Sequence, residues 1–252
     1  MESSAPTRLR KPAGNTATVW LKIIALVSMF TDHAGKMIFP SVPEMRILGR
    51  IAFPVYVWCM IVGFHYTRSV PRYMLRILAV GLASQPLYNL AMNHTWTSPN
   101  VFLTLFLGLC ALWGIREKKY FSHLWAPAAA LILAIVLNAD YGWKGVLLFI
   151  LLYAVQDSRP GIAGVMVAYF MYWGTFYSVT KSMFGLTIDL EAVPGFLKQL
   201  LSPFLRMEAY ALLSLPLILV RFKKDLKLPR WVGYALYPAH LALLYVLEQI
   251  IK

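Results

Sequence analysis

Apolar residues recur in long blocks from residue 18 to residue 250, broken by short polar clusters. A helix that crosses the hydrocarbon core of a bilayer needs about 20 mainly apolar residues, within a range of roughly 17–25. On that measure the pattern predicts spans over 18–38, 47–64, 73–92, 99–115, 124–138, 145–154, 162–179, 204–220 and 231–250. The sixth is short unless residues 141–143 are added to it. The second starts with Arg50, and the eighth carries Arg206 and Glu208 near its start. The stretch 181–203 breaks the pattern: Asp189, Glu191 and Pro194 precede a brief apolar run over 196–201, suited to lying flat in the interface. The predicted fold is all-α, a polytopic integral membrane bundle of about nine (eight to ten) transmembrane helices. A short cytoplasmic tail, 1–17, leads into one membrane domain, 18–250. No hydrophilic insert is long enough to fold alone. The two halves do not mirror each other, which weighs against transporters built from repeats.

Composition agrees with the pattern: 59% of the 252 residues are hydrophobic and 14% are charged, against about 25% charged in a soluble domain. The net charge of +13 would suggest nucleic acid in a soluble protein. Here the cations fall in alternate loops, as cytoplasmic loops require. Arg8, Arg10 and Lys11 mark one side, with Arg68/Arg72/Arg76, Arg116/Lys118/Lys119, Arg159 and Arg221/Lys223/Lys224/Lys227/Arg230. The opposite loops hold Lys36 and Arg46, Lys144, Lys181 and Lys198. That bias predicts a cytoplasmic N-terminus, an outer C-terminus, contact with membrane lipids and no nucleic-acid partner. Cys59 and Cys110 lie in apolar runs and read as buried hydrophobes. No A-x-A cleavage signal follows the first span, which is expected to be uncleaved.

The candidate chemistry begins in the first span. Lys22 and His33 are 11 residues apart, which returns them to nearly the same helical face with a rise of about 16 Å. A neutral histidine is a general base near physiological pH. The same pair also reads as a snorkelling lysine and an interfacial histidine. Asp32 beside it needs a partner at membrane depth, and consecutive helical residues point about 100° apart, so Lys36 or Arg50 is expected rather than His33. Arg68, Arg72 and Arg76 repeat every fourth residue and form a stripe suited to phosphate, or simply to anionic lipid. His240 follows Pro238 inside the last span. Such a histidine is either catalytic or a packed, hydrogen-bonded group. Gln85, Asn89 and Asn100 are expected to bond across helices, and Asn138 to Lys144 to form a structural outer loop. The histidines lack metal-ligand spacing, so no metal is expected, and no GxSxG, HExxH, P-loop or dinucleotide motif occurs.

The order of these pieces resembles the TraX family of conjugative-plasmid membrane proteins. The matching residues are Asp32-His33-Ala34, then Gly49-Arg50-Ile51-Ala52-Phe53-Pro54. Pro99-Asn100-Val101-Phe102 follows, then Tyr141-Gly142 with Gly145-Val146-Leu147-Leu148, and Tyr234 to Tyr237 with His240-Leu241. That family is similar in turn to a wider superfamily of transmembrane acyltransferases, in which a basic residue, ten intervening residues and a histidine mark the first span. The resemblance implies an acetyl-CoA-dependent acetyltransferase of the bacterial inner membrane, associated with conjugation and pilin acetylation. It implies a catalytic His33 assisted by Asp32, Arg50 and His240. Lys22, Arg68, Arg72 and Arg76 would hold the donor's phosphates. The acceptor would be a protein such as pilin, or a glycan. Two further readings stand beside it: a proton-coupled transporter or flippase of a small or lipid-linked solute, with Asp32 and His33 as relay, and a non-catalytic pilus or envelope assembly factor.

Overall fold

A computed structural model of the chain describes residues 11–251 other than 181, 184 and 191. Arg8, Arg10, Lys181 and Glu191 lie outside the described residues. Eleven α-helices follow in order: α1 Thr18–Met37, α2 Pro43–Gly49, α3 Ala52–Tyr66, α4 Val70–Met92, α5 Val101–Glu117, α6 Ser122–Val136, α7 Gly142–Ala154, α8 Arg159–Gly174, α9 Gly195–Leu201, α10 Leu215–Leu219 and α11 Arg230–Ile251. A 3-10 segment, Met207–Ser214, leads into α10. One antiparallel hairpin, β1 Ser182–Met183 with β2 Leu186–Thr187, lies between α8 and α9.

α3 is the axis of the bundle. Eleven of its residues, including Phe53, Trp58 and Phe64, are buried, so apolar side chains point inward all round it. A helix hydrophobic on every face requires this placement. α1 packs on α3, α2 and α11, while α5 joins α4, α6 and α7, and α8 packs against the 3-10 segment. Three helical stretches, Pro43–Tyr66, Lys119–Val136 and Trp231–Ile251, are long and apolar enough to cross a membrane. Gly142–Ala154 and Met207–Leu219 are shorter apolar helices. α6 and α11 are mostly exposed and α3 mostly buried, so the two outer helices offer the apolar surface suited to lipid.

The described boundaries differ most from the hydrophobic pattern in two places, both polar, and α8 also stops at Gly174, short of the expected 179. The expected second span breaks at Arg50–Ile51 into α2 and α3. The expected eighth span is the 3-10 segment followed by five α-helical residues. In both, a charged residue (Arg50, Glu208) faces inward to a partner.

The helix ends are tied by side chains. The Asn100 carboxamide oxygen accepts from the Phe102 N–H at 3.1 Å and caps α5, as an N-cap asparagine should. Its Nδ2 donates to the Gly81 carbonyl at 2.8 Å, and Gln85 Nε2 donates to Asn89 at 2.8 Å. Gln85 Oε1 also accepts from the Asn100 N–H at 2.9 Å, so Gln85 and Asn100 link α4 to α5 as predicted, whereas the Asn89 side chain bonds to Gln85 within α4. α1 has no cap of its own. Asp225, from the 221–229 loop, accepts from the Val19 and Trp20 N–H groups at 3.2 Å. A carboxylate at a helix N-terminus is favoured by the macrodipole.

Candidate active site

α1 and α2 pack closely around Asp32. A Cβ at Gly49 would collide with the Asp32 carboxylate, and one at Gly35 would come within 2.7 Å of Met45 Cβ. The glycine before Arg50 thus has a steric reason. With the helices this near, Asp32 Oδ2 accepts from Arg46 Nη1 at 2.6 Å and Oδ1 from Arg50 Nη2 at 2.6 Å. Arg50 Nη1 reaches Glu208 Oε1 at 2.8 Å. Two carboxylates and two guanidinium groups form one compensated cluster. The side chains of Asp32, Arg50 and Glu208 are only 13%, 11% and 5% exposed. At that depth each charge needs its partner.

The sequence reading named Arg50 or Lys36 as the partner of Asp32. Arg50 is the one that meets it. Lys36 instead lies 3.4 Å from His94 Nε2, and burial with the Lys36 charge lowers the His94 pKa from its ordinary value. Arg46 and Glu208 were not among the predicted site residues. Nothing in the sequence spacing places Glu208 beside Arg50, 158 positions away.

His33 and His240 meet across α1 and α11. His33 Nδ1 lies 3.1 Å from His240 Nε2, and His240 Nδ1 lies 3.3 Å from the Leu236 carbonyl. A carbonyl only accepts, so His240 Nδ1 carries the hydrogen. In a neutral ring the other nitrogen is then bare. His240 Nε2 therefore accepts from His33 Nδ1–H, which leaves the lone pair of His33 on Nε2. That atom has no hydrogen-bond partner among the described residues, and His33 lines a cavity of about 380 Å³. The chain of bonds fixes one tautomer and presents a base to the cavity, as second partners of functional histidines do.

The walls of this cavity come from several elements. Asp32 and Lys36 belong to α1, Tyr88 to α4, Tyr141 to Lys144 to the start of α7, Trp173 to α8, and Glu208 to the 3-10 segment. Phe53 stacks on Tyr141 with ring centres 3.7 Å apart, and Trp173 meets both edge-on. The stretch from Asn138 to Lys144 was expected to be structural. Its residues from Asp140 to Lys144 are cavity wall instead.

A second cavity, of about 780 Å³, reaches α1 and α11 about one helical turn before the histidine pair. Lys22, Arg68, Arg72 and Arg76 all line it, so the four predicted phosphate ligands gather in one place. α4 starts at Val70, so Arg68 stands on the preceding turn rather than on the helical stripe expected of it. Met29 and Tyr237, one turn before His33 and His240, line this cavity too. His33 itself lines only the smaller cavity, and His240 lines neither. Among the described residues no group of His, Cys, Asp and Glu could hold a metal ion.

Comparison with known proteins decides the family. A model of the TraX protein family matches residues 17–248. The chain belongs to the TraX family. It is similar to an uncharacterized protein of Rickettsia prowazekii, 26% identical over 147 residues, covering 56% of this chain and 57% of that protein. It is also similar to a probable fimbrial assembly protein FimC (serogroup H1) of Dichelobacter nodosus, 30% identical over 107 residues, 36% of this chain and 43% of that protein. The matches thus span about half the length of these curated relatives. No solved structure matches the chain.

Proposed function

We propose that this TraX-family chain is a membrane-embedded acetyltransferase that moves an acetyl group from acetyl-CoA to an acceptor at or across the membrane. One observation carries the reading: an oriented base lines one cavity, and four cations line a second that reaches Met29 and Tyr237, one helical turn from the histidine pair. A proton relay for transport has no use for four cations gathered in one chamber.

The residues fit the donor. Arg68, Arg72 and Arg76 are exposed at the mouth of the larger cavity, where guanidinium groups suit phosphate oxygens. Tyr56, Tyr73 and Tyr234 also line it and offer apolar ring surface to a slender, weakly charged arm. His33 Nε2 takes the proton from the acceptor as the acceptor attacks the thioester carbonyl. The carbon–sulfur bond then breaks, and the thiolate takes that proton from the His33 imidazolium. His240 holds the ring in register, and the Asp32–Arg50–Glu208 cluster holds α1, α2 and the 3-10 segment around it. The helices too short or too polar to qualify alone cross within the bundle, giving about nine spans in a bacterial inner membrane, with the basic chamber and the N-terminus on the cytoplasmic side. The name of the Dichelobacter relative favours a subunit of a surface fibre as acceptor.

Purified protein in lipid nanodiscs should release CoA from acetyl-CoA, and His33→Ala should stop it. Wild-type turnover by His33→Ala would sink the mechanism.

A further inference from the structure

The smaller cavity holds three carboxylates, and two are engaged. Both Asp32 oxygens face arginines, and Glu208 faces Arg50. Asp140 has no hydrogen bond or ion pair among the described residues. Arg46 and Arg50 stand in ion pairs, Lys144 has its Nζ 3.4 Å from the centre of the Phe176 ring, and Lys36, held beside His94, acts on Asp140 only through space.

The backbone holds Asp140 in place. Asn138 (φ 49°) and Gly142 (φ 55°) flank it, both left-handed, a conformation that only glycine and, less often, asparagine or aspartate adopt freely. The Gly142 N–H closes the turn on the Ala139 carbonyl at 2.7 Å. The aromatic rings of Tyr141, Trp143, Trp173 and Tyr177 share the cavity with this unmatched carboxylate. Aromatic faces beside an anion make a receptor for an ammonium group.

We propose that Asp140 receives the acceptor's ammonium group and takes its first proton, which makes the site selective for amines over hydroxyls. This rests on the acetyl-transfer reading above. An aliphatic amine or a chain terminus enters largely protonated at neutral pH and is no nucleophile in that form. The first proton passes to the Asp140 carboxylate and frees the nitrogen lone pair. Nitrogen then bonds to the acetyl carbon, and the carbon–sulfur bond breaks. The second proton goes to His33 Nε2 and from there to the thiolate. Asp140 gives its proton to water, so one thioester and one ammonium yield one amide, one thiol and one proton. A hydroxyl acceptor needs His33 alone.

The test uses the full chain in nanodiscs with labelled acetyl-CoA. The acceptors are a short peptide with a free α-amine, the same peptide with a hydroxyl in place of that amine, and nanodisc lipid with or without phosphatidylethanolamine. Label on the peptide or on the lipid amine identifies the source of the amine. Asp140→Asn should lower amine acetylation about ten- to a hundredfold, while loss of acetyl groups to water and transfer to the hydroxyl peptide stay within about twofold. Asp140→Glu should restore part of the amine rate. Unchanged amine transfer by Asp140→Asn overturns the assignment alone. So does an equal loss with all acceptors and with water, which would mark a structural residue. A wild-type chain inert toward acetyl-CoA overturns both this assignment and the function beneath it.

Discussion

The two chambers share α1 and α4 as walls, yet they handle charge in opposite ways. In the smaller one Asp32, Arg46, Arg50 and Glu208, drawn from α1, α2, the α2–α3 junction and the 3-10 segment, pair with one another and face inward. In the larger one the arginines stand exposed on a single stretch, with Lys22 facing them. Paired buried charge fixes geometry and is intolerant of loss. Unpaired exposed charge waits for an anion and tolerates change. One chamber is therefore built to position a reaction and the other to hold a charged ligand, and substitutions should separate the two roles.

The largest effect belongs to the base of the smaller chamber. His33→Ala should lower CoA release about 10²–10⁴-fold, with donor binding by calorimetry within about twofold of wild type. Loss of donor binding of the same size would mean that the two chambers do not divide the roles as described.

Arg50 breaks the smaller chamber in another way. Arg50→Met leaves Asp32 with Arg46 alone and Glu208 with no cation. Removing one partner of a buried ion pair costs about 3–5 kcal/mol, and for a chain of this size that lowers the apparent Tm by roughly 10 °C. Adding Glu208→Gln should recover a good part of the loss, because the stranded charge goes with it. No recovery would show that Arg50 matters through packing rather than charge.

The contrast also explains what the sequence could disclose. The face and depth of Lys22 and His33 were legible because helical spacing is local: 11 residues set both. Asp32 could be assigned a partner because a carboxylate at that depth demands one. Glu208 and Arg46 were not legible as site residues, since contacts such as Arg50–Glu208 depend on how separate helices pack. Asp140 was missed for a related reason: a polar residue between spans reads as loop, and only the fold shows the loop turned onto the cavity. The breaks at Arg50 and within 204–220 were hidden because hydropathy averages over a window and does not register a helix that changes type.

The larger chamber should respond through affinity. Replacing Arg68, Arg72 and Arg76 together with alanine should raise KM for acetyl-CoA about ten- to a hundredfold, by loss of charge-assisted hydrogen bonds, and leave kcat within about threefold. The wild-type KM should also rise with salt, and the triple variant's should rise less. A fall in kcat with unchanged KM would reverse the roles assigned to the chambers.

The smallest effect is on stability and tests the unmatched carboxylate. Asp140 is exposed toward the cavity; desolvation by the protein around it pushes its carboxyl up to about 6, and solvent screening at an exposed group keeps the effect on stability small. Lys36 and Arg50 pull the other way, while Asp32 and Glu208 add to the rise. The unfolded value lies near 3.9, so between about pH 4 and 6 the folded chain binds the additional proton. Stability then falls as pH rises through that window, and the destabilisation persists at neutral pH. Asp140→Asn removes the group that must be ionised. It should therefore raise the apparent Tm at pH 7.5 by a few degrees at most, and by less at pH 4.5, where the wild-type carboxyl is largely protonated in the folded chain. Nanodisc melting curves at the two pH values measure the difference. A variant less stable than wild type at pH 7.5 would mean that Asp140 anchors its loop, and the smaller chamber would then have no unmatched charge to offer a ligand.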